Sequence, residues 1–311
     1  MPRRGGRLLL LLLPVMLLLA STPVAAQESN EERFERAWGL VAERYWDLEA
    51  AGIDWEAVGK EYRDEALAAG SDEEFYAVLE EMYEQLGDDH STFVPPARVE
   101  EIREQYGNLP CLPVLGQAGG GSTAGNVSWE ILEGVGYLRL PDLASDGVSA
   151  NMRLAVNELE SAGVAAFILD LRGNPGGRLV EMMQVAGIFT GGFLWRVLTS
   201  WSLPLPYPAL GSTETELPLV ILIDSDVHSA AEGLAGALQM RGRAVVVGET
   251  TAGNVEAVLP FCLRDGSQAW IATGVLAPIG GPTWEGSGVV PDVPVPAGDA
   301  LEEALRYLGQ E

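Results

Sequence analysis

Two kinds of apolar spacing divide this chain. Between residues 31 and 105 apolar side chains recur at the three-to-four-residue spacing of amphipathic helices. Phe34, Trp38, Val41 and Tyr45 mark one such face, and Trp55, Val58 and Tyr62 mark another that opens after the cap residue Asp54. Ser71-Asp72-Glu73-Glu74 has the capping-box pattern and starts a third helix, with Phe75, Leu79, Met82 and Leu86 on one face. Beyond Trp129 the spacing changes. Short β-rich runs at Val135–Leu140, Ala165–Leu169, Leu219–Ile223, Ala244–Val247 and Ala269–Thr273 predict strands, and helical patterns fall at Ser149–Ser161, Leu179–Phe189 and Ala230–Arg241. Strands separated by helices predict βαβ units and a mainly parallel sheet, an α/β fold behind an all-helical front.

Between the two regions, residues 107–128 carry two prolines and the run Gly119-Gly120-Gly121-Ser122, the composition of a linker. The start of the chain is different again. Arg3, Arg4 and Arg7 precede the apolar run Leu8 to Leu19, and Val24-Ala25-Ala26 places small residues where a signal peptidase reads. The expected organisation is a signal peptide over 1–26, a helical subdomain over 27–106, the linker over 107–128 and an α/β core over 129–311. Cleavage after Ala26 would release the protein outside the cytoplasm, to the periplasm or beyond; left uncleaved, the same segment would be a membrane anchor.

The formal net charge of −26 argues against nucleic acid and anionic membrane surfaces as partners, since both would repel it. Cys111 and Cys262 are the two cysteines, and in an exported chain a single disulfide can join them. Two histidines and two scattered cysteines offer no metal-ligand cluster, and no cofactor is expected.

The most informative stretch is Asp170-Leu171-Arg172-Gly173-Asn174-Pro175-Gly176-Gly177. It follows a buried-strand run and precedes a helix, so its backbone N–H groups can face an anion or the oxyanion of a reacting carbonyl. A second strand–turn–helix places Ser229 where Leu219–Ile223 gives way to the Ala-rich helix. A serine there lies at the positive end of the helix dipole, with the N–H of Ala230 beside any carbonyl it attacks. Ser229-x-x-Glu232 is also a capping-box pattern, and capping alone would explain the residue. A nucleophilic serine needs a base, and the chain has only His90, His228 and the single lysine Lys60. His228 adjoins Ser229 in sequence, where neighbouring side chains usually diverge, so it reads as a turn or rim residue. His90 sits in the polar segment Leu86-Gly87-Asp88-Asp89-His90-Ser91-Thr92-Phe93 at the end of the third helix, which suits presentation to a cleft or plain solvation.

These residues resemble the C-terminal-processing, or tail-specific, serine peptidases. The resemblance spans nearly all of the chain after the signal. It takes in the segment ending at Phe93, the Asp170–Gly177 turn and His228-Ser229-Ala230-Ala231-Glu232. It continues through Val247-Gly248-Glu249-Thr250-Thr251-Ala252-Gly253 and Gly286-Ser287-Gly288-Val289-Val290-Pro291-Asp292. It implies a parallel-sheet core related to the crotonase and Clp-protease fold, and action on peptides or unfolded polypeptide segments. Most such peptidases pair the serine with a lysine, but the matching position here is Asn254. Asn254 could donate a hydrogen bond at the site or mark a lost base. Most also carry a PDZ domain where this chain has only the Gly-rich linker.

A branch similar to the catalytic core of tricorn protease dispenses with the lysine. Carried over by motif, its residues are Ser229 as nucleophile, His90 as base and Glu285 as a site-orienting acid, with Ala230, Gly176 and Gly177 lining the oxyanion hole. The competing expectation is a catalytically inactive binding protein on the same scaffold.

Overall fold

The computed structural model describes residues 28–49, 51–88, 90–106 and 127–309. The predicted signal segment, nearly all of the predicted linker and Cys111 lie outside them. Cys262 is disulfide-bonded. No helix among the described residues is long and apolar enough to cross a membrane.

The helical region contains α1 (Asn30–Arg44), α2 (Trp55–Ala68) and α3 (Asp72–Glu84). Ser29, Asp54 and Ser71 cap them by accepting the N–H groups of Glu32, Ala57 and Glu74. The box expected at Ser71 is only half formed, because Glu74 reaches back to the N–H of Gly70 at 2.8 Å instead of that of Ser71. The expectation of helix throughout 31–105 is also corrected: β1 (Thr92–Val94) interrupts it before α4 (Pro96–Tyr106). Thr-Phe-Val is a β-favouring run that cannot extend the helix across the Pro95-Pro96 pair that follows, and it finds a sheet edge.

The core holds β2 (Ser128–Leu132), β3 (Val135–Arg139), α5 (Val148–Ser161), β4 (Phe167–Asp170), α6 (Leu179–Phe189), β5 (Phe193–Leu198) and β6 (Pro206–Pro208). It continues with β7 (Leu219–Ile223), α7 (Ala230–Met240), β8 (Val245–Gly248), β9 (Glu256–Cys262), β10 (Gln268–Pro278), β11 (Val293–Pro294) and α8 (Ala300–Leu308). A six-stranded sheet runs β11-β8-β7-β4-β3-β2, parallel except for the antiparallel edge β2. Its central strands β4 and β7 are apolar at every position but Asp170, the last of β4, because both faces are covered. Phe167, Leu169, Leu219, Ile221 and Ile223 pack toward α5, α6 and α7, while Ile168, Val220 and Leu222 pack toward α8, the alternation a pleated strand imposes.

A second sheet, antiparallel, was not foreseen. It joins β1, β10, β5 and β6, with β9 on the other side of β10. The run predicted at Ala269–Thr273 belongs here, inside the longer β10, and not to the parallel core. Ala269, Ile271 and Ala272 pack into the same apolar cluster as Phe34, Phe75, Leu79 and Phe93. Strand β10 therefore fastens the helical region to the core, and its neighbour β9 starts at the site described next.

Candidate active site

Ser229 stands at the N-cap of α7, with its backbone at φ 53° and ψ −123°. L-residues rarely adopt this conformation, which stores roughly 1–3 kcal/mol and persists only where the surroundings enforce it. Here two bonds do so. The N–H of His228 donates to the carbonyl of Asn174 at 3.0 Å, and that of Ser229 donates to the carbonyl of Asn254 at 2.8 Å. The capping-box arrangement with Glu232 is present, but its working bond runs from the Ser229 N–H to Glu232 Oε2 at 3.0 Å, and the hydroxyl makes no cap hydrogen bond. The hydroxyl is thus left available at a half-buried position.

Glu232 is fully buried and gathers the loops around the serine. Besides the Ser229 N–H it accepts Thr251 Oγ1 at 2.5 Å, the N–H of Gly253 at 2.7 Å and the N–H of Asn254 at 3.0 Å. A buried carboxylate without a cation is tolerated when donors surround it in this way. Sequence reasoning gave it only a capping role.

The Gly-rich turn abuts the serine from the other side. Gly176 lies at φ 91°, and a Cβ there would stand 2.8 Å from Ser229 Cβ and 3.0 Å from the nitrogen of Ala230, a space only glycine leaves open. Its expected role as an oxyanion donor is corrected, however. The fully buried Asn174 folds the turn, accepting the Gly176 N–H on Oδ1 at 2.8 Å while Nδ2 donates to the Leu140 carbonyl at 2.8 Å. That N–H is spent. Among the described residues the N–H groups of Gly177 and Ala230 donate to no protein acceptor, so they remain the candidate donors. Ala230 opens α7, where N–H groups lack helical partners.

His90 follows α3 in a turn built on Asp88, whose Oδ1 accepts the His90 N–H at 2.8 Å and also the Ser91 N–H. Ser91 Oγ in turn accepts the Ala272 N–H at 3.0 Å, which ties the turn to β10. The imidazole is not adrift in solvent: its side chain is 21% exposed, and Nδ1 lies 2.9 Å from Glu256 Oε2. Burial pulls the His90 pKa down, but the hydrogen bond and charge of Glu256, with Asp88 and Glu285, outweigh it and raise the pKa above its ordinary value.

No hydrogen bond joins His90 to Ser229 among the described residues. They are linked through β9, since Glu256 lies two residues beyond the Asn254 carbonyl that holds the Ser229 N–H, a span of about 7 Å at full extension.

Glu285 is brought to the same place, but among the described residues no hydrogen bond joins it to the histidine. Its Oε2 accepts the Val255 N–H at 2.8 Å. Burial raises its pKa, as do Glu256 and Glu232, against the lowering effects of the Val255 N–H and His90. Asn254 enters through its backbone, as does His228. Lys60 lies exposed on α2. Glu256 was missed by sequence reasoning: the signal was its place just beyond the Val247–Gly253 motif, where the absent lysine had drawn attention only to Asn254.

Residues 26–84 match the family description "Tricorn protease C1 domain". A carboxyl-terminal-processing protease of Picosynechococcus is 35% identical over 136 residues, 43% of this chain and 33% of that protein. The C-terminal processing peptidase of Tetradesmus obliquus is 33% identical over 182 residues, 57% of this chain and 39% of that protein. The chain thus matches well under half the length of these curated relatives. Among solved structures, a photosystem II D1 C-terminal processing protease superposes with a TM-score of 0.70 at 21% identity, covering 91% of this chain and 98% of that one. A lipoprotein from Streptococcus agalactiae gives 0.71 at 17% identity, covering 97% and 99%. These two likenesses concern the fold. The match to "Peptidase family S41" runs over residues 134–295, more than half of the 311, and takes in the Gly turn, Ser229, Glu232, Glu256 and Glu285: this chain belongs to peptidase family S41.

Proposed function

We propose that this chain is an exported serine endopeptidase that cleaves peptides or unfolded polypeptide segments through an acyl-enzyme on Ser229. The observation that carries the reading is the strained, doubly pinned backbone of Ser229 at the start of α7, with a free hydroxyl beside unpaired N–H groups. His90 Nε2 takes the hydroxyl proton as Oγ attacks the scissile carbonyl carbon. The oxyanion that forms is held by the N–H groups of Ala230 and Gly177. Collapse breaks the C–N bond, and His90 returns the proton to the leaving amine. Water then repeats the sequence on the ester, releasing the second product and restoring Ser229. Glu285 supports the arrangement by anchoring Val255 at the entry to β9. Its role is structural to the site, and it reaches the imidazole through charge alone. The N-terminal basic-then-apolar segment supports export.

A fluorophosphonate serine probe tests the reading. The expected result is an adduct on Ser229, lost in Ser229→Ala and slowed in His90→Ala, with casein hydrolysis following the same order. Equal hydrolysis by wild type and Ser229→Ala would remove Ser229 as nucleophile. A well-folded sample that takes no label would favour a binding protein on this scaffold.

A further inference from the structure

We propose that Glu256, at the first position of β9, is the carboxylate that positions His90 for proton transfer. The proposal rests on the peptidase reading but adds a residue and a division of labour between two acids. Two carboxylates lie near the imidazole, and they are bonded differently. Glu256 Oε2 is 2.9 Å from Nδ1, while Glu285 is committed to the Val255 N–H at 2.8 Å. Glu256 is nearly buried, so its bond to the ring is shielded from water and ions in a way an exposed pair is not. A carboxylate on Nδ1 fixes the neutral ring as the Nδ1–H tautomer. Nε2 then carries the lone pair that a base requires, and the imidazolium formed on proton transfer stays compensated.

The backbone explains why this acid is well placed. The Asn254 carbonyl holds the Ser229 N–H, the Val255 N–H is held by Glu285, and Glu256 follows at once, so three consecutive residues register nucleophile, anchor and base. Glu285 acts one bond further back, by fixing the residue before Glu256. The other ionisable groups around the ring are Asp88 in its own turn and Glu285 in the loop after β10, with Tyr45, the C-cap of α1, set against Asp88. A mere tie between the helical region and β9 would account for the salt bridge, the tautomer and the titration alike, but not for a loss of kcat at unchanged KM.

The test uses the full chain. In wild-type protein, nitrogen-resolved NMR of the two histidines should show neutral His90 protonated on Nδ1; protonation on Nε2 overturns the proposal without any variant. Glu256→Gln should lower the His90 titration midpoint, read in a Ser229→Ala background where turnover plays no part. It should also move the acid limb of kcat/KM to lower pH and reduce kcat roughly 100-fold or more, with KM little changed. Glu256→Asp should recover part of the rate. Glu285→Gln should move the midpoint less than Glu256→Gln. An unshifted His90 midpoint, or a kcat within about threefold of wild type, would refute the role. Because the NMR readings need no activity, they separate this outcome from failure of the peptidase reading, which Ser229→Ala and His90→Ala decide.

Discussion

Ser229 offers a stability measurement whose sign distinguishes a strained nucleophile turn from an ordinary helix cap. At a conventional position, glycine is less stable than alanine by about 0.5–1 kcal/mol, because it loses more chain entropy on folding. At an ordinary serine N-cap, alanine also loses the cap bond. Neither situation holds here. The Ser229 hydroxyl makes no cap hydrogen bond, so Ser229→Ala should unfold close to wild type. The φ of 53° stays unfavourable for alanine but relaxes for glycine. Relief of roughly 1–3 kcal/mol of strain, less 0.5–1 kcal/mol of entropy, leaves Ser229→Gly more stable than Ser229→Ala by about 1 kcal/mol. Urea titration of the two inactive variants side by side measures the difference through the midpoint at constant slope, and thermal melting should show a gain of about 2–4 °C. A glycine variant less stable than the alanine variant by 0.5 kcal/mol or more would mean that the turn is unstrained.

Four other outcomes follow from the same contacts. Glu232→Gln leaves a single side-chain acceptor oxygen where four donors converge, and should cost about 3 kcal/mol in chemical denaturation with loss of probe labelling at Ser229. Asn174→Ala removes both bonds that fold the Gly turn and should cost about 2–4 kcal/mol while slowing labelling, measured in the same two assays. Hydrolysis should rise with pH through a midpoint above the ordinary histidine value, because His90 must lose its proton to act as base and its neighbours raise its pKa; a pH–rate profile with a midpoint below 6 would contradict this. Asp170 resists protonation because the bonds from Arg172 and Tyr137 outweigh the upward push of burial. Its stabilisation should therefore be intact above about pH 4 and fade as pH falls through its lowered value, so that the deficit of Asp170→Asn, about 3 kcal/mol at neutral pH, shrinks in acid.

What the sequence made legible depended on whether a signal was local. Leu219–Ile223 and the Leu179–Phe189 helix could be read to the residue, since a strand buried on both faces is an unbroken apolar run and the helix repeats its own period. Ser229 and the Gly turn could be found because strand–turn–helix junctions leave a local mark. The antiparallel sheet left none. β6 and β9 contain prolines and half-exposed positions, and Gly274 hides the length of β10 by breaking its apolar pattern. Gly176 looked like an oxyanion donor because glycine content shows where backbone is exposed, not which N–H a neighbouring asparagine has already taken. Glu256 was one acid among 45 until the fold set it against the histidine.

The helical region and the parallel core each bury their own apolar cluster, yet neither holds a complete site: one carries His90, the other Ser229. Their meeting depends on the second sheet, where β1 pairs with β10 just after His90 and β9 pairs with β10 just after Asn254. The registry of one strand thus sets the distance from His90 to Ser229. Thr92 faces Trp270, and Glu256 faces Val275 on the opposite side of β10. A one-residue slip of β1 would turn its side chains to the other face of the sheet. Phe93 would lose its place among Phe34, Phe75 and Leu79, and His90 would lose Glu256 in the same step. Core packing therefore enforces the geometry of the site, and the aromatic cluster around Phe93 is where a substitution should disable His90 while leaving the Ser229 turn intact.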